Sequence, residues 1–197
     1  MNNVKPFLSV NNLKCSRSYE CLFDNLRFDL YPGESLVIKG ENGSGKTTLI
    51  LALLNLIPYS GKVVWSHKIN VYGYVSHKYG IKSYETIREY MHFWSKFYKY
   101  RSSYKTILSS LNLLAYLDTP TAFLSQGQKK KLSLARVFLV NTKVWFLDEP
   151  TASLDKKSKS LIEKKINMHN SRGGISIISS HDNIKIKQAK ILELGIV

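Results

Sequence analysis

The chain has 197 residues, 44% apolar and 22% charged, which suits one globular domain and excludes a disordered tail. Its 29 Lys and Arg against 14 Asp and Glu leave a net charge of +15, which suits an anionic partner without naming one. The longest apolar-rich run, Thr47 to Ile57, falls short of the roughly 20 residues a membrane helix needs, and MNNVKPFLSVNNLK at the start does not read as a secretory signal.

In chain order, Phe7 to Lys14 and Cys21 to Tyr31 read as short strands, the second closed by the Pro32-Gly33 turn. Cys15 and Cys21 lack the His or further Cys of a metal spacing and read as reduced thiols. Ser35 to Lys39 is a compact apolar strand, followed by a Gly-rich stretch and a helix from Thr47 to Asn55. Gly61 to Trp65 and Val71 to Ser76 read as two more strands. From Lys82 to Tyr100, the residues Tyr84, Ile87, Met91, Trp94 and Tyr98 recur at the spacing of one helical face, with Ser83 as N-cap and Glu85 in the first turn. Helical character resumes over Tyr104 to Tyr116 and Gln128 to Val140. Then come a strand Lys143 to Leu147, a helix Lys156 to Asn170, a strand Ile175 to Ser180 and a last strand Ile191 to Leu194. Strands and helices alternate at both ends around a helical middle, the pattern of an α/β sheet with a helical insertion.

Gly40-Glu41-Asn42-Gly43-Ser44-Gly45-Lys46-Thr47 fits G-x-x-x-x-G-K-[ST] between a predicted strand and a predicted helix. Its glycines let consecutive backbone N–H groups approach phosphate oxygens, and the helix start adds positive potential there. Lys46 is placed to reach β- and γ-phosphates, the Thr47 hydroxyl to ligate Mg²⁺, and Thr48 beside it joins the phosphate-binding set. The dinucleotide pattern G-x-G-x-x-G is not met. Val144 to Glu149 is an apolar strand ending in two acids. Asp148 is placed there to hold Mg²⁺, directly or through water, and Glu149 to polarise the water that attacks the γ-phosphate.

Leu124-Ser125-Gln126-Gly127-Gln128 resembles the LSGGQ signature of ABC ATPases, with Gln126 in place of the first Gly. Ser153-Leu154-Asp155 resembles that family's D-loop, and His181 its switch histidine. The resemblance implies an α/β P-loop NTPase of the ABC ATPase kind: a RecA-like core with an N-terminal antiparallel β-subdomain and a small helical insertion. Residues 1–77 and 129–197 would form the core with its β-subdomain, and 78–128 the helical subdomain carrying the signature. It also implies ATP and Mg²⁺ as cofactors and a head-to-tail pair of chains sandwiching two ATP. Each chain would bring Lys46, Asp148, Glu149 and His181 to one ATP and Ser125 to the other.

The sequence departs from the family at one further place. Where the family carries a glutamine that contacts Mg²⁺, this chain offers His77, whose neutral ring can bond a metal-bound water. Tyr19 lies in the segment that supplies the adenine-stacking aromatic. Lys129 to Lys131 read as a solvated helix face, with a grip on lipid or RNA as the alternative. The aromatic stripe is assigned mainly to the insertion's own core, with its most exposed members left for docking a membrane partner. His77, Tyr79-Gly80-Ile81-Lys82, Arg172-Gly173-Gly174 and the short length resemble one subgroup, the ATP-binding subunits of the bacterial haem exporter of cytochrome c maturation. That resemblance implies separate membrane subunits, a CcmB-like permease with a CcmC-like protein, at the cytoplasmic face of the inner membrane. It implies ATP hydrolysis that drives release of a haem-loaded chaperone. Neither haem nor nucleic acid is expected to bind this subunit directly. The alternatives are the ATPase of another importer or exporter, or a soluble ABC ATPase acting on ribosomes or nucleic acid.

Overall fold

A computed structural model describes residues 5–17, 20–67, 69, 71–140 and 142–195. In chain order the elements begin with β1 (Leu8–Arg17), β2 (Glu20–Leu30), β3 (Ser35–Lys39), α1 (Lys46–Leu53), β4 (Ser60–Trp65) and β5 (Gly73–Val75). Three helices follow, α2 (Ile87–Phe97), α3 (Tyr104–Ser110) and α4 (Gln126–Phe138). The chain closes with β6 (Val144–Asp148), α5 (Lys156–Ser171), β7 (Ile175–Ser179) and β8 (Ala189–Glu193). Strands β2-β1-β4 form an antiparallel sheet, and β5-β6-β7-β3-β8 a wholly parallel one.

The central strands β3, β6 and β7 are buried on both faces, which is why they read as near-continuous apolar runs, whereas the edge strand β8 is partly exposed. Successive residues of β6 alternate between two cores. Val144 and Phe146 pack with α1 and the antiparallel sheet, while Trp145 and Leu147 pack with residues of α2 to α5. The insertion therefore shares one continuous core with the sheet. A buried hydrogen-bonded trio ties α5 to the strands: Asn170 donates to Ser35 Oγ (2.6 Å) and accepts from Ser176 Oγ (2.8 Å).

The first helix of the insertion begins at Ile87, five residues after the expected start. Thr86 and Glu89 form a capping box: Thr86 Oγ1 accepts from the Glu89 N–H (3.2 Å), and the Glu89 carboxylate accepts from the Thr86 N–H (2.8 Å). Ser83 is not the cap. Its carbonyl accepts from the Ala122 N–H and that of Glu85 from the Thr121 N–H, pinning 82–85 to the short 3₁₀ turn Thr121–Phe123. Tyr84 consequently leaves the apolar face and is 77% exposed, whereas Ile87, Tyr90 and Met91 are buried. The helix expected over Tyr104 to Tyr116 ends at Ser110, with Asn112 in the left-handed region (φ 55°) and a 3₁₀ turn over Leu114–Tyr116. α4 starts two residues early, at Gln126, because Ser125 and Gln128 form a second capping box. The last strand covers Ala189–Glu193.

Candidate active site

β3 feeds the Gly-rich loop into α1, with Gly45 as N-cap in the left-handed region (φ 95°) where a side chain would be strained. Asn42, Gly43, Gly45, Lys46, Thr47 and Thr48 line a cavity of about 540 Å³ at the carboxyl ends of the parallel strands. Asp148, Glu149, His77 and His181 line the same cavity from three other segments. Gly40 and Glu41 do not line it but line a neighbouring one, and their carbonyls each accept from the buried Lys46 ammonium at 2.8 Å. Ser44 Oγ is buried without a hydrogen-bond partner. A helix N-terminus, a buried ammonium and an unpaired hydroxyl beside a glycine loop suit the phosphates of a nucleotide.

Thr47 Oγ1 donates to Asp148 Oδ2 at 2.9 Å. Two hard oxygens at that separation match neighbouring positions of an octahedral ion with bonds of about 2.1 Å, so these residues fit Mg²⁺. Ser179 Oγ donates to the other Asp148 oxygen and fixes the carboxylate from β7. Glu149 adopts a left-handed backbone (φ 50°), unusual for this residue type, and its N–H donates to the Ser179 carbonyl (3.2 Å) and hydroxyl (3.0 Å). That turn aims the almost buried Glu149 carboxylate into the cavity, where His181 Nδ1 stands 2.9 Å from Oε2, out of line for a hydrogen bond. The His181 ring is 56% exposed, at the rim.

Leu124, Ser125, Gln126, Gly127 and Gln128 do not line this cavity. Ser125 is exposed at the N-terminus of α4, where its hydroxyl accepts from the Gln128 N–H and its own N–H donates to the Gln128 side chain. Leu124 is buried beneath the turn. A Cβ on Gly127 would come within 3.0 Å of the Ser153 carbonyl, whereas Gln126 points to solvent. The second glycine position is thus sterically constrained and the first is not, which explains how Gln126 fits. In the D-loop, Ser153 is left-handed (φ 62°), Leu154 is buried and Asp155 caps α5, its carboxyl held low by hydrogen bonds from Ser158. Tyr19 lies outside the described residues. Its neighbours Arg17, Glu20 and Leu22 line the nucleotide cavity, a contribution sequence reasoning missed.

Lys129 to Lys131 are not a uniformly solvated face. Lys130 is 1% exposed, and its ammonium points at the Asp148 carbonyl (3.4 Å) and stands 5.1 Å over the Tyr79 ring. Burial pushes its pKa down to about 8, against the pull of Asp148 and Glu149. The helical spacing to Leu134 and Val137, both buried, is the signal that could have placed Lys130 on the inner face.

The ABC transporter family matches residues 23–152, and curated relatives span nearly the whole chain. The cytochrome c biogenesis ATP-binding export protein CcmA of Paracoccus denitrificans is 36% identical over 188 residues, 95% of this chain and 89% of that protein. The CcmA of Rhodobacter capsulatus is 35% identical over 189 residues, 95% and 87% of the two chains. Among solved structures, an ABC transporter ATP-binding protein from Pyrococcus furiosus superposes with a TM-score of 0.82 at 22% identity, covering 95% of this chain and 96% of that one. An inward-facing metal-chelate type ABC transporter gives 0.79 at 24% identity, covering 98% and 81%. A family match over more than half of the chain, joined to relatives of this identity and coverage, means that the chain belongs to the ABC transporter family as one of its ATP-binding subunits.

Proposed function

We propose that this chain is the ATP-hydrolysing subunit of a transporter complex serving cytochrome c maturation, the haem exporter with a CcmB-like permease and a CcmC-like protein. The observation that carries the catalytic part is the convergence of Lys46, Thr47, Asp148, Glu149 and His181 on one cavity. The transport part is supported by the CcmA relatives, which match nearly end to end. No helix among the described residues is long and apolar enough to cross a membrane, so the membrane path falls to separate subunits, with this chain peripheral at the cytoplasmic face. The exposed Phe93 and Phe97, stacked at 6.2 Å on α2, are the aromatics left for docking them.

Lys46 and the N–H groups of residues 43–48 hold the β- and γ-phosphates. A magnesium ion held by Thr47 and Asp148 would neutralise charge on the phosphate oxygens. Glu149 accepts a proton from the attacking water, which forms a bond to the γ-phosphorus as the bond to the ADP oxygen breaks. His181, at the rim, hydrogen-bonds the γ-phosphate and positions that water. Leu124 to Gln128, at the start of α4, offer Ser125 and a helix N-terminus to the ATP of a second chain, and Ser153 to Asp155 accompany them at the joint.

The test is a tagged Glu149→Gln chain, expressed in its own cells and purified from gently solubilised membranes with MgATP. Recovery of CcmB-like and CcmC-like proteins is expected. A different permease would discard the haem-maturation role and keep the ATPase. Ribosomal proteins or nucleic acid would overturn the transporter reading.

A further inference from the structure

A second cavity, about 860 Å³, opens at the opposite end of β6 from Asp148. Four segments wall it: the chain after α2, the end of α4 with its following turn, the start of β6, and the last turns of α5. Lys99, Arg101, Lys143, Lys165 and Arg172 line it, and no described Asp or Glu does. A third of its lining is therefore Lys or Arg, against 29 of 197 residues in the whole chain. None of the five forms an ion pair among the described residues; Lys143 donates only to the Arg172 carbonyl, at 3.1 Å.

The floor is aromatic. Trp145 lies flat on His169, with centroids 3.9 Å apart and planes within 5°, and meets Phe138 at 5.3 Å. The Lys165 ammonium stands 5.1 Å over the Phe138 ring, and Tyr98 and Tyr100 are half-buried on one wall. His169 lies largely buried beside Lys143 and Arg172. Its pKa is pushed down to about 4, first by burial, with Lys143 and Arg172 adding to the shift.

Like charges gathered around one concave space repel one another unless an anion joins them, even where, as at Lys99, Arg101, Lys143 and Arg172, the side chains reach solvent. We propose that this cavity is a second ligand site, taking a phosphate-bearing small molecule with a flat ring system, the chemistry of a nucleotide. The volume lies within the range of small-molecule sites. Arg101 and Arg172 offer planar forks for phosphate oxygens, Lys143 and Lys165 offer point charges, and the half-buried Tyr100 offers a ring. A lipid headgroup would leave the aromatic faces unused. A polynucleotide needs an open groove through which its continuous backbone can run, whereas four segments wall this cavity.

The probe is AMP, which lacks the β- and γ-phosphates that the glycine loop grips. It is titrated into the full chain with that loop already saturated by the magnesium complex of the non-hydrolysable analogue AMP-PNP. Calorimetry measures affinity, and the His169 ring resonance, assigned with His169→Gln, reports occupancy by NMR. Saturable binding is expected, with movement of the His169 signal. The paired change Lys143→Ser and Arg172→Ser, at two exposed positions, should weaken AMP by about tenfold or more and leave ATP hydrolysis unchanged. The proposal is overturned by absence of saturable binding up to about 10 mM AMP, or by binding that the paired variant retains. It is equally overturned if single-stranded RNA or phosphatidylglycerol vesicles engage Lys143 and Arg172 while AMP does not.

Discussion

At the scale of single residues, Lys130 departs furthest from its expected place. A lysine with 1% exposure bears a desolvation cost that a surface lysine escapes, and it has no carboxylate partner within salt-bridge distance among the described residues. What it holds is the carbonyl of Asp148, one peptide before the left-handed Glu149. At 3.4 Å this contact lies at the long end of hydrogen-bonding distance, so it adds to the two bonds from the Glu149 N–H to Ser179 that hold the turn. Lys130→Met keeps the volume and removes the charge, so the fold should remain as stable as the parent or more so. Its kcat should fall by roughly tenfold with KM for ATP little changed, and Lys130→Arg should recover part of the loss. Parent-like turnover in Lys130→Met would remove the residue from the account. His77 allows a sharper contrast. If its ring bonds a metal-bound water, His77→Gln retains steady-state ATPase activity and His77→Leu loses it; equal rates would make His77 a rim residue only.

Among elements, the contact between α5 and the start of β6 predicts acid sensitivity. His169 is neutral in the fold down to about pH 4 because it is buried against Trp145, whereas its ordinary value is 6.5. The unfolded chain therefore takes up a proton there first as pH falls, and stability drains between 6.5 and 4 by as much as about 3 kcal/mol. Urea unfolding at pH 7 and pH 4.5 should show a smaller fall for His169→Gln than for the parent; identical falls would contradict the assignment. How far each element was legible follows from how local its determinants are. The loop Gly40 to Thr47 and the strand ending in Asp148-Glu149 carry their chemistry in consecutive residues, so spacing alone located them. The start of α2 was misplaced because two candidate caps, Ser83 and Thr86, lie three residues apart, and the Thr86–Glu89 capping box decided between them. Lys130 was hidden in a run of three lysines whose fates differ only through the face of α4 that meets the sheet. The basic cavity was invisible, because Lys99, Lys143 and Arg172 meet only in three dimensions.

For the molecule as a whole, the two phosphate-gripping devices do not converge. The glycine loop opens into the nucleotide cavity, while Ser125 and the start of α4 lie outside it with the D-loop packed over Gly127. On the proposed reading, such a chain would complete its site with a second copy, each signature closing over the other's ATP. The net charge of +15 works against association of two such chains unless bound nucleotide phosphates screen the facing surfaces, so pairing should depend on ATP. Release should follow hydrolysis, when the γ-phosphate leaves. The most direct measurement is the mass of Glu149→Gln in solution by light scattering, with and without MgATP. The account predicts a monomer without nucleotide and a stable dimer retaining two ATP with it, abolished by adding Lys46→Ala. A chain that binds ATP and hydrolyses it as a monomer, with Glu149→Gln no slower than the parent, would contradict it.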